Sequence, residues 1–425
     1  MKKVFVLITG ILILWSSPIF SQVNKVKYVK KYEDPVLKEL REKEKKQKAY
    51  EDSVTRAIRK VQEERKKKER EEKKVLRFDF IGVKKPASPK AFKSVFHFPP
   101  VAQYRTGTCW AFSSTSFVES EVYRITGQKI KLSEMFTVYH EYLDKVRRYV
   151  QERGDSEFGQ GSECNAIFRI IRNYGAVPED VYPGITYGDK HDHTRMFNEL
   201  RALLSMINEK NMWDEDEVLG MARVILNKYM GEPPQEFEWH GKTYTPKSFV
   251  SEVLKINPDD YVDLMSTLSI PFYTKGEFKV PDNWWHCAEY YNVPLDDWYS
   301  GLKNAIKKGY SVAIGGDVSE PGYNGFEDAA IVPDFDIPQD YINQDSRELR
   351  IYNHTTTDDH GVHLVGYLRI GKHDWYLIKD SARSSRHGKF KGYYFYRDDY
   401  IKLKMLTYTV HKDAVKGILK KFKEK

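Results

Sequence analysis

Apolar residues recur at helical spacing after Cys109, where Trp110, Ala111, Phe112, Phe117, Val118, Val122 and Ile125 share one pattern until Gly127 offers a stop. The spacing predicts a helix whose first turn carries a cysteine. Met196 to Leu204, Glu217 to Tyr229 and Pro246 to Ile256 repeat that periodicity, broken by Gly231-Glu-Pro-Pro234 and a His240-Gly-Lys turn, and read as three more helices. From His360 onward the pattern changes. Gly361-Val-His-Leu-Val-Gly-Tyr367 is apolar and β-branched and predicts a strand with His360 at its entrance. His363, three positions along, falls on the opposite face and is expected to be structural. Lys25 to Arg77 follows neither pattern. Its opposite charges lie three or four residues apart among strong helix formers, and Tyr50, Val54, Ile58 and Val61 make its one short apolar stripe. A solvated helix is expected there.

That segment carries the charge of the chain. It holds 21 Lys and Arg against 12 Asp and Glu, a net +9 within a 425-residue chain of net +8. With Lys2 and Lys3 counted, everything from Phe78 onward carries −3. Interleaved signs and few aromatics make nucleic acid an unsuitable partner. A pro-segment, a tether to an anionic surface and a plain spacer all remain open for it. Before it, Met1-Lys-Lys, the apolar run Val4 to Trp15 and the small residues up to Ser21 have the parts of a secretory signal. The run is short for about 30 Å of hydrocarbon, so no stable membrane anchor is expected. Cleavage near Ser21 would leave a charged segment over 22–77 and a secreted or periplasmic protein.

Export permits disulfides, but Cys164 and Cys287 read as buried apolar residues, with Cys164 inside a helix. No phosphate loop, dinucleotide fingerprint or haem motif appears, so no cofactor is expected. His191-Asp-His193 and the group His354, Asp358, Asp359 and His360 lack convergent metal-ligand spacing, and no metal is expected.

A thiol in the first turn of a helix sits where unpaired backbone N–H groups and the helix dipole favour an anion, the setting of a reactive thiolate. Gln103-x5-Cys109-Trp-Ala-Phe-Ser resembles the nucleophile motif of papain-like cysteine peptidases, in which the Gln side chain and the Cys backbone N–H form an oxyanion hole. The resemblance implies an α+β papain-like two-lobed fold over 78–425, one lobe helical and the other a twisted antiparallel sheet, with peptides as substrate. Val365-Gly366-Tyr367 is similar to the family's His-Ala-Val-x-x-Val-Gly-Tyr strand, which puts the base on His360. The family's Asn-Ser-Trp-Gly run is matched by Asp380-Ser-Ala382. Asp380 thus takes the place of the Asn that orients the imidazole, and Ala382 that of a covering Trp. A carboxylate accepts the same imidazole N–H and raises the His pKa. Loss of the Trp is expected to wet the pair and weaken its bond. Two readings follow, hydrolysis through a Cys–His pair or a degenerate peptide-binding cleft. Asp359 matches a frequent predecessor of the catalytic His and is expected to act as an electrostatic neighbour. Thr106 stands where the family's first disulfide Cys would be.

The order of further segments narrows the resemblance. Leu132 to Val146, Asn173-Tyr-Gly-Ala-Val-Pro178, Tyr261 to Leu264, Tyr291-Asn-Val-Pro-Leu295 and Gly309 to Val318 look like the bleomycin hydrolase and aminopeptidase C group. The Thr-Thr-Asp-Asp run before His360 looks like its exported bacterial members. This implies a mostly helical insertion over about 184–293 that helps build homo-oligomers and narrows the cleft. It also implies aminopeptidase action, through a C-terminal arm lying in that cleft. The ending Val415 to Lys425 is basic and amphipathic, unlike that arm, and its cations would repel a substrate ammonium. Aminopeptidase action is expected only narrowly ahead of endopeptidase action.

Overall fold

The computed structural model describes residues 25–422 and divides the chain into two units, Met1–Lys74 and Val75–Lys425. The expected signal segment 1–21 lies outside the described residues. Among those residues no helix is long and apolar enough to cross a membrane.

The first unit carries one helix, α1 (Pro35–Glu72), in which no residue is buried. Asp34 caps it by accepting from the Val36 and Leu37 N–H groups, and Pro35 fills the first turn, where a missing N–H costs nothing. Pairs four residues apart, such as Lys43 with Glu39 at 2.7 Å and Arg65 with Glu69 at 3.4 Å, line its surface. Fully solvated pairs of this kind add only tenths of a kcal/mol each, about 0.3–0.5.

The second unit opens with β1 (Lys93–Ser94), α2 (Cys109–Thr126), α3 (Glu134–Gln151), α4 (Ala166–Tyr174), α5 (Thr194–Lys210) and α6 (Glu215–Met230). A hairpin of β2 (Phe237–Trp239) and β3 (Lys242–Tyr244) leads to α7 (Pro246–Phe249), which runs on as a π turn to Leu254. Then come β4 (Tyr261–Met265), β5 (Thr274–Gly276), β6 (Tyr290–Asn292), α8 (Leu295–Lys307), β7 (Val312–Gly316), β8 (Tyr323–Asn324) and β9 (Ala329–Ala330). The chain finishes with α9 (Gln344–Tyr352), β10 (His360–Ile370), β11 (His373–Lys379), β12 (Tyr393–Arg397), α10 (Asp398–Lys404), β13 (Met405–His411) and α11 (Lys416–Lys420).

α2 is the pillar of the helical half, with every residue from Trp110 to Val122 buried. A helix buried all round must satisfy its polar side chains internally. Ser114 Oγ donates to the Trp110 carbonyl at 2.7 Å, Ser120 Oγ to the Phe96 carbonyl at 2.7 Å, and buried Glu119 pairs with Lys131 at 2.9 Å. Gly127, at φ 73°, ends the helix in the left-handed conformation with its N–H on the Tyr123 carbonyl. Helices α3 to α6 share a core with α2 built on Phe117, Phe136, Tyr142, Leu200 and Leu226.

The eleven-stranded sheet runs β5-β6-β4-β13-β7-β10-β11-β12-β9-β8, with β1 added to β10. Most pairings are antiparallel, as expected, but β4 with β6 and β9 with β12 are parallel. A second core lies on the sheet around Trp298, Leu302, Val362, Tyr376 and Tyr408. The insertion carries its expected helices up to Leu254, interrupted by the β2–β3 hairpin. From Tyr261 to Asn292 the chain supplies three short strands that extend the main sheet past β13. β10 and β11 form a hairpin closed by Gly371-Lys372, where Gly371 takes φ 58° as a two-residue turn demands. The register His363↔Lys379 sets Asp380 diagonally across from His360 on one sheet face, within side-chain reach.

Candidate active site

Cys109 is the first residue of α2, partly exposed, and its sulfur lies against His360, whose protonated form its charge and hydrogen bond favour. Close approach of helix and strand makes this contact. A Cβ on Gly361 would stand 3.0 Å from Ser113 Oγ, 3.1 Å from Cys164 Sγ and 3.2 Å from Trp110 Cα, so only glycine lets the first turn of α2 press onto β10. Gly361→Ala is expected to displace that turn by a few tenths of an ångström and lower kcat about 10-fold, with a smaller change in KM. Steady-state kinetics on one fluorogenic peptide checks this.

His360 Nε2 donates to Asp380 Oδ1 at 2.8 Å. Burial opposes protonation of His360, but the charges of Asp380 and Cys109 and their hydrogen bonds overcome it and lift the imidazole well above its usual value. Burial likewise opposes ionisation of Asp380. The His360 charge and hydrogen bond, the Ala382 N–H at 2.8 Å and the Tyr323 hydroxyl at 2.9 Å outweigh it and hold the carboxyl below its usual range. An ion pair with this many donors stays charged even when dry.

The expected wetting of that pair does not occur. His360 is 8 % exposed and Asp380 2 %. The cover that Ala382 lacks comes from Tyr323, whose hydroxyl donates to Asp380 Oδ2 and whose ring stacks on Tyr394 at 4.4 Å, with Tyr396 edge-on. Burial and the neighbouring Asp380 charge push the Tyr323 phenol well up, so it remains a donor. No sequence signal marks Tyr323, which reaches the site from β8, 57 residues before Asp380. Tyr323→Phe is expected to leave Asp380 Oδ2 buried without its donor, raise the Asp380 pKa and cut kcat/KM about 5-fold to 10-fold. The acid limb of the pH–rate profile should move to higher pH, since protonating Asp380 abolishes the charge that holds His360.

Gln103, 9 % exposed, is fixed at both ends of its amide. Ser381 Oγ donates to its Oε1 at 2.7 Å, and its Nε2 donates to the Thr106 carbonyl at 2.8 Å. The second Nε2–H meets no acceptor among the described residues. Thr106, at the position of the family's disulfide Cys, donates to the Gln103 carbonyl at 3.0 Å and pairs with Thr108 Oγ1 at 2.7 Å, so hydrogen bonds tie this loop. Gln160 adds to the tie by accepting from the Gly107 N–H at 2.8 Å. Ser381 was available to sequence reasoning through its place beside Asp380; Gln160 was not.

Other expected residues fall elsewhere. His363 is buried on the opposite face, with Nδ1 2.8 Å from Ser116 Oγ, which also accepts from Lys379 Nζ at 2.8 Å. Asp359 accepts from the Val318 N–H and Ser319 Oγ and still feels the His360 charge, as an electrostatic neighbour would. His193 is buried against the Tyr142 hydroxyl, and among the described residues no three His, Cys, Asp or Glu converge as a metal site. All three cysteines are free. Cys164 is buried but lies in a turn before α4, and Cys287 is partly exposed where a buried residue was expected.

The family model described as the peptidase C1-like family matches residues 147–425, a stretch that holds His360 and Asp380 and begins after Cys109. No curated protein sequence matches the chain. Among solved structures, PepW from Lactobacillus rhamnosis HN001 is 18% identical over 80% of this chain and 86% of that one, with a TM-score of 0.60. The digestive procathepsin L 3 of Tenebrio molitor larval midgut is 17% identical over 78% and 73%, with a TM-score of 0.33.

Proposed function

The chain belongs to the peptidase C1-like family and is a cysteine peptidase with a papain-like α+β fold, and we propose that Cys109 is its nucleophile, His360 its acid and base, and Asp380 the group that orients and charges His360. The observation that carries this reading is the dry His360–Asp380 bond of 2.8 Å beside a cysteine at a helix N-terminus. The thiolate attacks the peptide carbonyl while His360 is imidazolium. The Cys109 backbone N–H, one of the unpaired donors of the helix end, and the second Gln103 Nε2–H hold the oxyanion. His360 gives its proton to the leaving amine, then takes one from the water that opens the thioester. The dryness of the pair favours hydrolysis over the degenerate cleft raised by Asp380 and Ala382 standing in place of Asn and Trp.

Removal of residues from substrate N-termini is favoured narrowly over internal cleavage, on the order of the segments shared with the aminopeptidase C group. Up to Phe422 the chain end is docked away on α8 and the β5–β6 pair, with Lys421 on Asp297 at 2.6 Å and the Phe422 ring 4.8 Å from that of Tyr291. The test is mass-spectrometric analysis of a mixed peptide set incubated with the mature protein under reducing conditions. Stepwise N-terminal loss is the expected result. Internal cuts would make it an endopeptidase, and no cleavage, with and without residues 23–74, would overturn the peptidase reading.

A further inference from the structure

Two carboxyl groups beside the proposed catalytic pair play no part in the chemistry just described. Asp358 stands two residues before His360, and Glu163 stands next to Cys164, whose sulfur packs on Gly361 and feels the charges of both Glu163 and Cys109. The two side chains are hydrogen-bonded to each other. Asp358 also lies over β7, its Oδ1 3.2 Å from where a Gly315 Cβ would be. Glu163 is only 4 % exposed, yet its Oε1 has no ordinary donor, and its Oε2 receives only long contacts of 3.5 Å from Tyr290 and Thr407. Among the described residues no lysine or arginine pairs with either group, although nearly every other buried carboxylate of this unit has a cation or several donors.

Burying unpaired acid is costly. Burial raises both. The charge and hydrogen bond of Asp358, then the charge of Asp282, add to it at Glu163, which goes well above the usual range; at Asp358 the hydrogen bond to Glu163 opposes burial and the charges of Asp282 and Asp359 add to it, leaving it at about 7. Half-buried Asp358, with Glu163 behind it, lines a groove of about 590 Å³ whose apolar wall includes Met265, Phe278, Val280, Pro281 and Leu406. That volume suits one or two substrate residues. Two cations also border the groove. Arg347 is committed to the carbonyls of Ser266, Lys402, Met405 and Leu406, and Lys279 is exposed to solvent. Neither neutralises the pair, and among the described residues no third His, Cys, Asp or Glu converges on it.

Resting on the peptidase reading and deepening it, we propose that Glu163 and Asp358 form the cation-reading subsite of the cleft and select substrates that place an ammonium or guanidinium group in this groove. The missing partner of the carboxyl pair is then supplied by the substrate. A cation seated on Asp358 gains a charge-assisted bond in a partly dry site, backed by a second carboxylate. The cation has two sources, a Lys or Arg side chain or the free N-terminal amine of the peptide.

The test uses four short peptide amides, carrying arginine or norleucine and a free or acetylated N-terminus, titrated calorimetrically into the full chain bearing Cys109→Ala. The same series is run with Glu163→Gln and Asp358→Asn added. The intact pair should bind the peptides with the right cation about 30-fold more tightly than acetyl-norleucine peptide, and the double substitution should erase that preference while leaving acetyl-norleucine binding unchanged. Preference for acetyl-arginine over acetyl-norleucine identifies a side-chain subsite; preference for free over acetylated norleucine identifies a reader of the α-amine. Equal affinity for all four peptides with the pair intact, or an equal loss for all four on substitution, overturns the proposal. Binding is read without turnover, so a failure of hydrolysis counts against the peptidase reading alone.

Discussion

Cys109→Ala folds, binds peptide and releases no product. Alanine is the best helix former, and Cys109 is the first, partly exposed residue of α2, so its replacement leaves no sealed cavity and gives up one side-chain hydrogen bond, that to His360. The reaction, by contrast, has no other nucleophile in reach. Cys164, the nearest second thiol, is buried, and burial holds it well up in pKa as an inert thiol. Losing the nucleophile of such a pair costs roughly 10⁵-fold or more in kcat, leaving only what the oxyanion donors and binding supply. The check is product analysis by mass spectrometry beside a thermal melt of the same sample. Normal turnover by a folded variant would remove Cys109 from the mechanism. The variant also loses the thiolate that helps hold the imidazolium, so the His360 pKa should fall, a change readable by NMR titration.

Asp380 carries the second large effect, and two substitutions divide it. Asp380→Ala removes the acceptor from His360 Nε2 and from the Tyr323 hydroxyl, leaving a free imidazole and a stranded buried phenol. A loss of about 10⁴-fold in kcat/KM is expected, comparable to losing the orienting carboxylate in other nucleophile–His–acid sites. Asp380→Asn keeps an oxygen for His360 and discards only the charge. The attacking state requires protonated His360, and its pKa is lifted well above 6.5, so activity should persist above that pH and disappear as pH rises through the lifted value. Without the carboxylate charge that value drops, and the alkaline limb should move to lower pH while the peak rate stays within about 10-fold. An unmoved alkaline limb would mean that Asp380 positions His360 without charging it.

The nucleophile, base, oxyanion glutamine and orienting acid could be named from the chain because each lies in a short local run that needs no knowledge of the fold. Gln103 and Cys109 share one loop-to-helix turn, and His360 and Asp380 sit side by side at the open end of one hairpin. What completes the site is not local. Tyr323 meets Asp380 only because β8 returns on β9 and β9 pairs with β12, and that order is invisible in a two-residue strand. The wet pair expected from Ala382 failed for the same reason, since three tyrosine rings from β8 and β12 fill the space. The insertion was read as helical too far because β4, β5 and β6 are five, three and three residues long, too brief for a period-two pattern to stand out. Glu163 looked like any glutamate before a helix. Only burial without a cation sets it apart.

The edge of the sheet puts a limit on how far the N-terminus can be trimmed. β8, which carries Tyr323, is the last strand of the sheet and is two residues long. Its outer side is held by the end of the charged segment and the residues just after it. The Phe78 N–H bonds the Pro321 carbonyl at 2.9 Å, Arg77 bonds the Tyr323 carbonyl at 3.2 Å, and Phe80 is buried in the small core with Phe92 and Phe395. A cut before Val75 leaves these fastenings whole. A cut after Phe80 takes all of them, frees the shortest strand to fray, and lets the tyrosine swing away from Asp380. The strap from Arg77 to Phe80 thus belongs with the site although it lies at the end of a segment that looks dispensable, so a nick before Val75 would spare the site where one after Phe80 would disarm it.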